Sequence, residues 1–117
     1  MKLIHITIAV KDLEKSLAFY RDIVGLPVNR RFASGASEIA FVGEGDTEIE
    51  LICGGADVVH SADVSIGFAV DSLTDTIAFL AENGIAVGDE AQPNPQVRFA
   101  FAHDPDGFRV QFVESAS

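Results

Sequence analysis

The chain has 117 residues, the length of one small domain, and its 8 Lys and Arg against 18 Asp and Glu give a formal charge of −10. That field repels phosphate backbones and acidic membranes, so neither nucleic acid nor membrane is an expected partner. With 48% apolar residues, no apolar run near the roughly 18 residues of a membrane span and no export pattern after Met1 and Lys2, a globular cytoplasmic protein is expected.

Residues 3–10 alternate as a strand does, with Ile4, Ile6, Ile8 and Val10 on one face and His5, Thr7 and Ala9 on the other. The aliphatic face is expected to meet a helix. The spacing of Leu13, Leu17, Tyr20 and Val24 predicts that helix over residues 13–24, with Asp12 as its cap and Gly25 as its stop. Extended runs follow at residues 28–33, 37–42 and 47–53, the last two joined by a turn at Gly43 to Asp46. In the last run Glu48, Glu50 and Ile52 alternate with Ile49, Leu51 and Cys53. The lone cysteine, Cys53, ends an apolar run and reads as a small buried hydrophobe. Residues 54–63 carry no pattern and are expected to link two modules.

The order then starts again. An alternating segment at 64–70 precedes a helical pattern at 73–83, where Leu73, Ile77 and Leu80 form the stripe, Ser72 with Asp75 the start and Gly84 the stop. Strands are predicted at 85–88, 97–102 and 108–114, with Asp104-Pro105-Asp106-Gly107 as the last turn and residues 89–96 as an irregular connection. A shift of 60 positions lays His5 on Ser65, Val10 on Val70, Leu13 on Leu73, Leu17 on Ile77 and Phe19 on Phe79. One deletion later Gly25 meets Gly84, and near the ends a shift of 61 lays Ile49-Glu50-Leu51 on Val110-Gln111-Phe112.

Two copies of one module explain the pattern. The fold class expected is α+β: two βαβββ modules, about 1–53 and 64–115, in a single domain over 1–117. Small or polar groups on the face away from each helix favour a curved mixed sheet, a half-barrel cup with the helices outside. A module of about 55 residues has a marginal core alone. Pairing within one chain and pairing between two chains both satisfy that need. His5, Glu50, Ser65 and Gln111 all fall on the helix-averted face. Thr7, Ser65 and Gly67 are read as lining the substrate pocket there. His60 and His103 lie in or near loops and are read as surface groups, whereas Arg98 and Arg109 meet either an anionic substrate or water.

His5-Ile6-Thr7-Ile8-Ala9-Val10, then Asp12 to Tyr20, Gly25-Leu26, Ile49-Glu50-Leu51 and Asp104-Pro105-Asp106-Gly107-Phe108 resemble glyoxalase I and its relatives, the vicinal oxygen chelate superfamily that includes bleomycin-resistance proteins and extradiol dioxygenases. The likeness covers nearly the whole chain. It implies a divalent metal held by one residue from the first and last strand of each module, by position His5, Glu50, Ser65 and Gln111. His5 and Glu50 suit Zn, Ni, Co or Fe. Gln111 is a modest third ligand, and the Ser65 hydroxyl is a poor one.

The resemblance implies a metal-assisted lyase or isomerase related to lactoylglutathione lyase, acting on a small carbonyl or hemithioacetal substrate with Glu50 as the base. The second reading it implies is a metal-free protein that binds or sequesters a small molecule, as bleomycin-resistance proteins do. Glutathione-binding glyoxalases carry an arginine four residues beyond the first His. Here that position is Ala9. A homodimer is implied, with His5 and Glu50 of one chain meeting Ser65 and Gln111 of the other.

Overall fold

The computed structural model describes residues 1–55 and 57–115, with Asp89 described by its backbone alone. Ala56, within the expected linker, lies outside the described residues. The architecture is α+β, built of two βαβββ modules, in two compact units spanning Met1–Val59 and His60–Ser117.

In the first unit β1 (His5–Val10) is followed by α1 (Leu13–Leu17), a wider helical turn at Ala18–Ile23, then β2 (Val28–Ser34), β3 (Ser37–Val42) and β4 (Glu48–Cys53). The sheet order is β1-β4-β3-β2, with β1 parallel to β4 and the other pairs antiparallel. The second unit repeats the plan: β5 (Ser65–Ala69), α2 (Leu73–Glu82), β6 (Gly88–Asn94), β7 (Val97–His103) and β8 (Arg109–Ser115), in the order β5-β8-β7-β6.

The expected caps form. Asp12 Oδ1 accepts from the Lys15 amide and Ser72 Oγ from the Asp75 amide, each at 3.1 Å, satisfying donors that the first helical turn leaves without partners. Each helix buries its stripe against its own sheet. Leu13, Leu17 and Tyr20 lie with Ile8, Val10, Ala40, Val42, Ile49 and Leu51, and Leu73 and Leu80 with Ala100, Ala102, Val110 and Phe112, all buried. Burying one such leucine contributes about 1.5–3 kcal/mol, so these stripes outweigh any intrinsic preference of helices this short.

Four expectations need correction. The helix predicted over 13–24 is not α-helical throughout: beyond Leu17 it widens into a π-helical turn, in which the Val24 amide bonds the Phe19 carbonyl five residues back at 2.9 Å. In the second unit Asn83 bonds Phe79, four residues back, at 3.2 Å. The extra residue sits where the repeat offset changes. The aliphatic face of β1 is covered only at Ile8 and Val10. Ile4 and Ile6 are 59% and 40% exposed, because α1 lies over β3 and β4.

The sixth strand lies at Gly88–Asn94 instead of 85–88, so most of the stretch expected to be irregular is an edge strand. Pro93 is tolerated because an edge strand leaves one row of its amides without sheet partners. Cys53, expected to be buried, is half-buried. Its thiol donates to the Lys11 carbonyl at 3.4 Å, beside the open groove formed with Gly54, Gly55 and Asp57.

Candidate functional site

Strand alternation decides which side chains meet on the face of the first sheet that α1 leaves uncovered. In the parallel β1–β4 ladder His5 pairs with Glu48 and Thr7 with Glu50, while β3 places Phe41 beside Glu50 and β2 places Arg30 beside Phe41. Partners across a ladder share a face. The sheet therefore brings together His5, Thr7 and Glu50, three of the residues singled out from the sequence.

Thr7 Oγ1 donates to Glu50 Oε1 at 2.5 Å, and His5 Nε2 lies 3.7 Å from the same oxygen. The second distance is too long for a hydrogen bond. It suits two atoms ligating one ion, since two ligands each about 2.1 Å from a tetrahedral ion stand about 3.4 Å apart. The Glu50 side chain is 17% exposed and the His5 ring 37%, so the carboxylate is the more shielded of the pair. The His5 ring meets Phe41 edge-on with centroids 5.6 Å apart, which fixes its tilt.

This face is held by neighbours that carried no expected role. The Arg30 guanidinium lies 4.3 Å from the Phe41 ring centroid and pairs with Glu48 at 2.7 Å. Asn29 Nδ2 donates to Glu48 Oε2 at 2.9 Å. The Arg30 hydrogen bond, then that of Asn29, holds the Glu48 carboxyl below its ordinary value. Glu48 is thus occupied by a cation and an amide, leaving Glu50 as the carboxylate turned to His5. The period-2 pattern placed Glu48 on this face, but its pairing with Arg30 depends on a three-strand register that alternation alone does not fix.

In the second unit Ser65, Gly67 and Gln111 also share one face. Gly67 pairs with Gln111, and a Cβ added to Gly67 would meet Gln111 Oε1 at 3.5 Å, so the amide lies over the glycine in ordinary contact. Ser65 pairs with Arg109, whose guanidinium stacks 3.6 Å from the Phe101 ring centroid. Arg98 is engaged with Glu90 at 2.5 Å and lies 3.8 Å from Glu114. His103 is exposed as expected. His60 is not a plain surface group: it is half-buried, its ring edge-on to Phe108 at 5.1 Å, and its Nε2 is buried.

Among the described residues no group of three or more His, Cys, Asp and Glu is arranged to hold a metal ion. The His5–Glu50 pair fits two positions of a metal shell. Ser65 and Gln111 bring only neutral oxygens and an amide.

A family model described as Glyoxalase/Bleomycin resistance protein/Dioxygenase superfamily matches residues 2–112. Lactoylglutathione lyase of Neisseria meningitidis serogroup A is 30% identical over 131 residues, covering 100% of this chain and 93% of that protein. Among solved structures, the trypanothione-dependent glyoxalase I of Leishmania major superposes with a TM-score of 0.85 at 23% identity, over 97% of this chain and 86% of that one. TnmS3, an antibiotic-binding protein from a Streptomyces species, gives 0.81 at 21% identity, over 99% and 97%. These two likenesses speak to the fold. The chain belongs to the glyoxalase/bleomycin resistance protein/dioxygenase superfamily.

Proposed function

We propose that this chain is a cytoplasmic, metal-assisted lyase or isomerase of the glyoxalase I type, acting on a small carbonyl or hemithioacetal substrate. The observation that carries the reading is the shared face on which His5 Nε2 stands 3.7 Å from Glu50 Oε1. Full-length similarity to lactoylglutathione lyases supports it. His5 and Glu50 would hold a divalent metal, Zn, Ni, Co or Fe, with Gln111 as a third and weaker ligand and water filling the shell. When bound, the metal supplies polarisation of the substrate carbonyl. Glu50 serves as the base, taking a proton from one carbon and returning it to its neighbour, while the Thr7 hydroxyl keeps the carboxylate oriented. Thr7, Ser65 and Gly67 line the substrate pocket in this reading, and the working form is a homodimer.

Elemental analysis of protein purified without chelator, followed by turnover assays on hemithioacetals of several thiols, tests the reading. Stoichiometric metal together with turnover that is lost in Glu50→Gln is the expected result. Absence of both metal and turnover rejects it. Ala9, at the position where glutathione-binding relatives carry arginine, is the reason to vary the thiol. Mass measurement at micromolar concentration is expected to give the dimer, and a monomer alone rejects that part.

A second reading has its own support: Ser65 and Gln111 supply no strong ligand, and TnmS3, of the same fold, is an antibiotic-binding protein. A metal-free pocket that sequesters a small molecule would show a ligand-induced rise in Tm without conversion. Tight metal binding counts against it.

A further inference from the structure

Among the described residues four of the five arginines are paired with a carboxylate. Arg21 pairs with Asp22, Arg30 with Glu48, Arg31 with Glu14 and Glu38, and Arg98 with Glu90. Among the described residues Arg109 has no such partner, although acidic side chains outnumber basic ones 18 to 8. Its guanidinium carbon instead lies over the Phe101 ring, 3.6 Å from the centroid, and among the described residues its N–H donors have no hydrogen-bond partner.

The surroundings of Arg109 point the same way. On its face of the second sheet it is flanked by Ser65 on one side and His103 on the other. A cavity of about 290 Å³ opens beside it, lined by His60, Ser61, Ala62, His103, Gly107 and Arg109. No carboxylate side chain lines it among the described residues. His60 lines the same cavity, and its Nε2 is buried with no hydrogen-bond partner among the described residues. A buried nitrogen in that state lacks the partner that buried polar groups nearly always have.

Three carboxylates lie near the cavity in sequence, Asp63, Asp104 and Asp106, yet none of them lines it, and Asp104 is buried and engaged with backbone. Its Oδ1 accepts from the amides of Asp106 and Phe108 at 2.9 and 2.8 Å. Comparison of the modules sharpens the contrast. At the repeat offset of 61, Arg109 occupies the place of Glu48, so duplicated positions carry opposite charge, and Glu48 comes with its own counter-ion.

We propose that this cavity is an oxyanion-binding site, in which Arg109, His60 and His103 receive the carboxylate or phosphate group of a small molecule. Arg109 supplies the charge and a forked pair of donors, and the two imidazoles supply N–H donors from the walls. The assignment does not depend on the His5–Glu50 activity and would hold for a metal-free binder as well.

The test is titration of the isotopically labelled protein with inorganic phosphate and, separately, with acetate, each against sodium chloride at matched ionic strength. Saturable shifts of the amides at 60–62, 103, 107 and 109, absent with chloride, are expected. Arg109→Gln should weaken that binding by about tenfold or more, whereas Arg109→Lys, which keeps the charge but loses the fork and the stack, should weaken it by less than Arg109→Gln does. Tighter phosphate binding assigns a phosphate ester as the natural ligand, and tighter acetate binding a carboxylic acid. Shifts that do not saturate with either anion, or that persist unchanged in Arg109→Gln, overturn the proposal. Should Arg109→Gln lose its cooperative melt, His103→Gln at an exposed position is the substitute: weaker binding sustains the site, and unchanged binding overturns it.

Discussion

Thr7 and Glu50 are direct partners in the parallel β1–β4 ladder, and the hydroxyl of one is spent on a single carboxylate oxygen of the other. That oxygen is also the one nearest His5. Thr7 therefore fixes which oxygen faces the imidazole. Valine at position 7 keeps the β-branched shape that a strand favours but removes the donor. Thr7→Val is expected to leave Tm nearly unchanged and to weaken divalent-metal affinity by about tenfold or more, as loss of an orienting partner does at a metal site. Competition titration with a metal indicator measures it. Unchanged affinity would remove Thr7 from the positioning role.

A second prediction concerns a hydroxyl that stabilises nothing. Ser16 is fully buried and its Oγ has no partner among the described residues, whereas Thr76, at the same place in the repeat, donates to the Ser72 carbonyl at 2.8 Å. Ser16→Ala removes an unsatisfied group and improves helix propensity, so stability should rise by about 1 kcal/mol. Thr76→Val breaks a bond that is made, and should lower it by a similar amount. Urea unfolding of the pair gives opposite signs if the assignment of partners is right.

Two glycines separate backbone strain from collision. Gly35 and Gly54 both have positive φ, at 60° and 98°, but a Cβ at Gly35 meets nothing within 4 Å, and one at Gly54 would stand 2.7 Å from the Ala36 carbonyl oxygen. Gly35→Ala should cost about 1 kcal/mol, the cost of left-handed backbone alone. Gly54→Ala should cost about 3 kcal/mol, because backbone must also move. Equal losses in the two variants would show that the β2–β3 turn gives way freely.

The Arg30–Glu48 pair predicts a pH dependence with a definite sign. Glu48 titrates below its ordinary value when folded, chiefly through its hydrogen bond to Arg30. Its contribution is present above the unfolded glutamate value and is lost as the pH falls through the lower, folded one. Arg30→Met removes the main cause. The acid limb of a plot of urea midpoint against pH should therefore become shallower in the variant. The Arg30 side chain is 52% exposed, so the change is small and should shrink further in high salt.

The parts of this fold that were legible in the sequence are the local ones. Capping by Asp12 and Ser72, the stops at Gly25 and Gly84 and the turn at Asp104 each depend on a few adjacent residues. The shared face of His5, Thr7 and Glu50 was legible as a parity, because side chains alternate with period 2. What alternation does not set is the register that puts Thr7, and not His5, directly beside Glu50. The Arg30–Glu48 pair and the stack of Arg109 on Phe101 were hidden for the same reason. The strand through Pro93 was missed because proline reads as a breaker until the strand is known to lie at an edge. Ile4 and Ile6 looked like core because their pattern matches Ile8, and only the short reach of α1 separates them.

The π-helical turn at Ala18–Ile23 has a consequence for how such a chain changes length. Phe19 and Gly25 are six residues apart where Phe79 and Gly84 are five, yet both helices end in the same way, Leu26 bonding Tyr20 and Ile85 bonding Leu80, each at 2.9 Å. One added amino acid is thus taken up inside the first helix as local girth, and the connection after it is one residue shorter than its counterpart, Gly25 to Val28 against Gly84 to Gly88, so that β2 and β6 start 60 positions apart again. Duplicated segments can in this way drift apart in count while their downstream partners continue to meet in step.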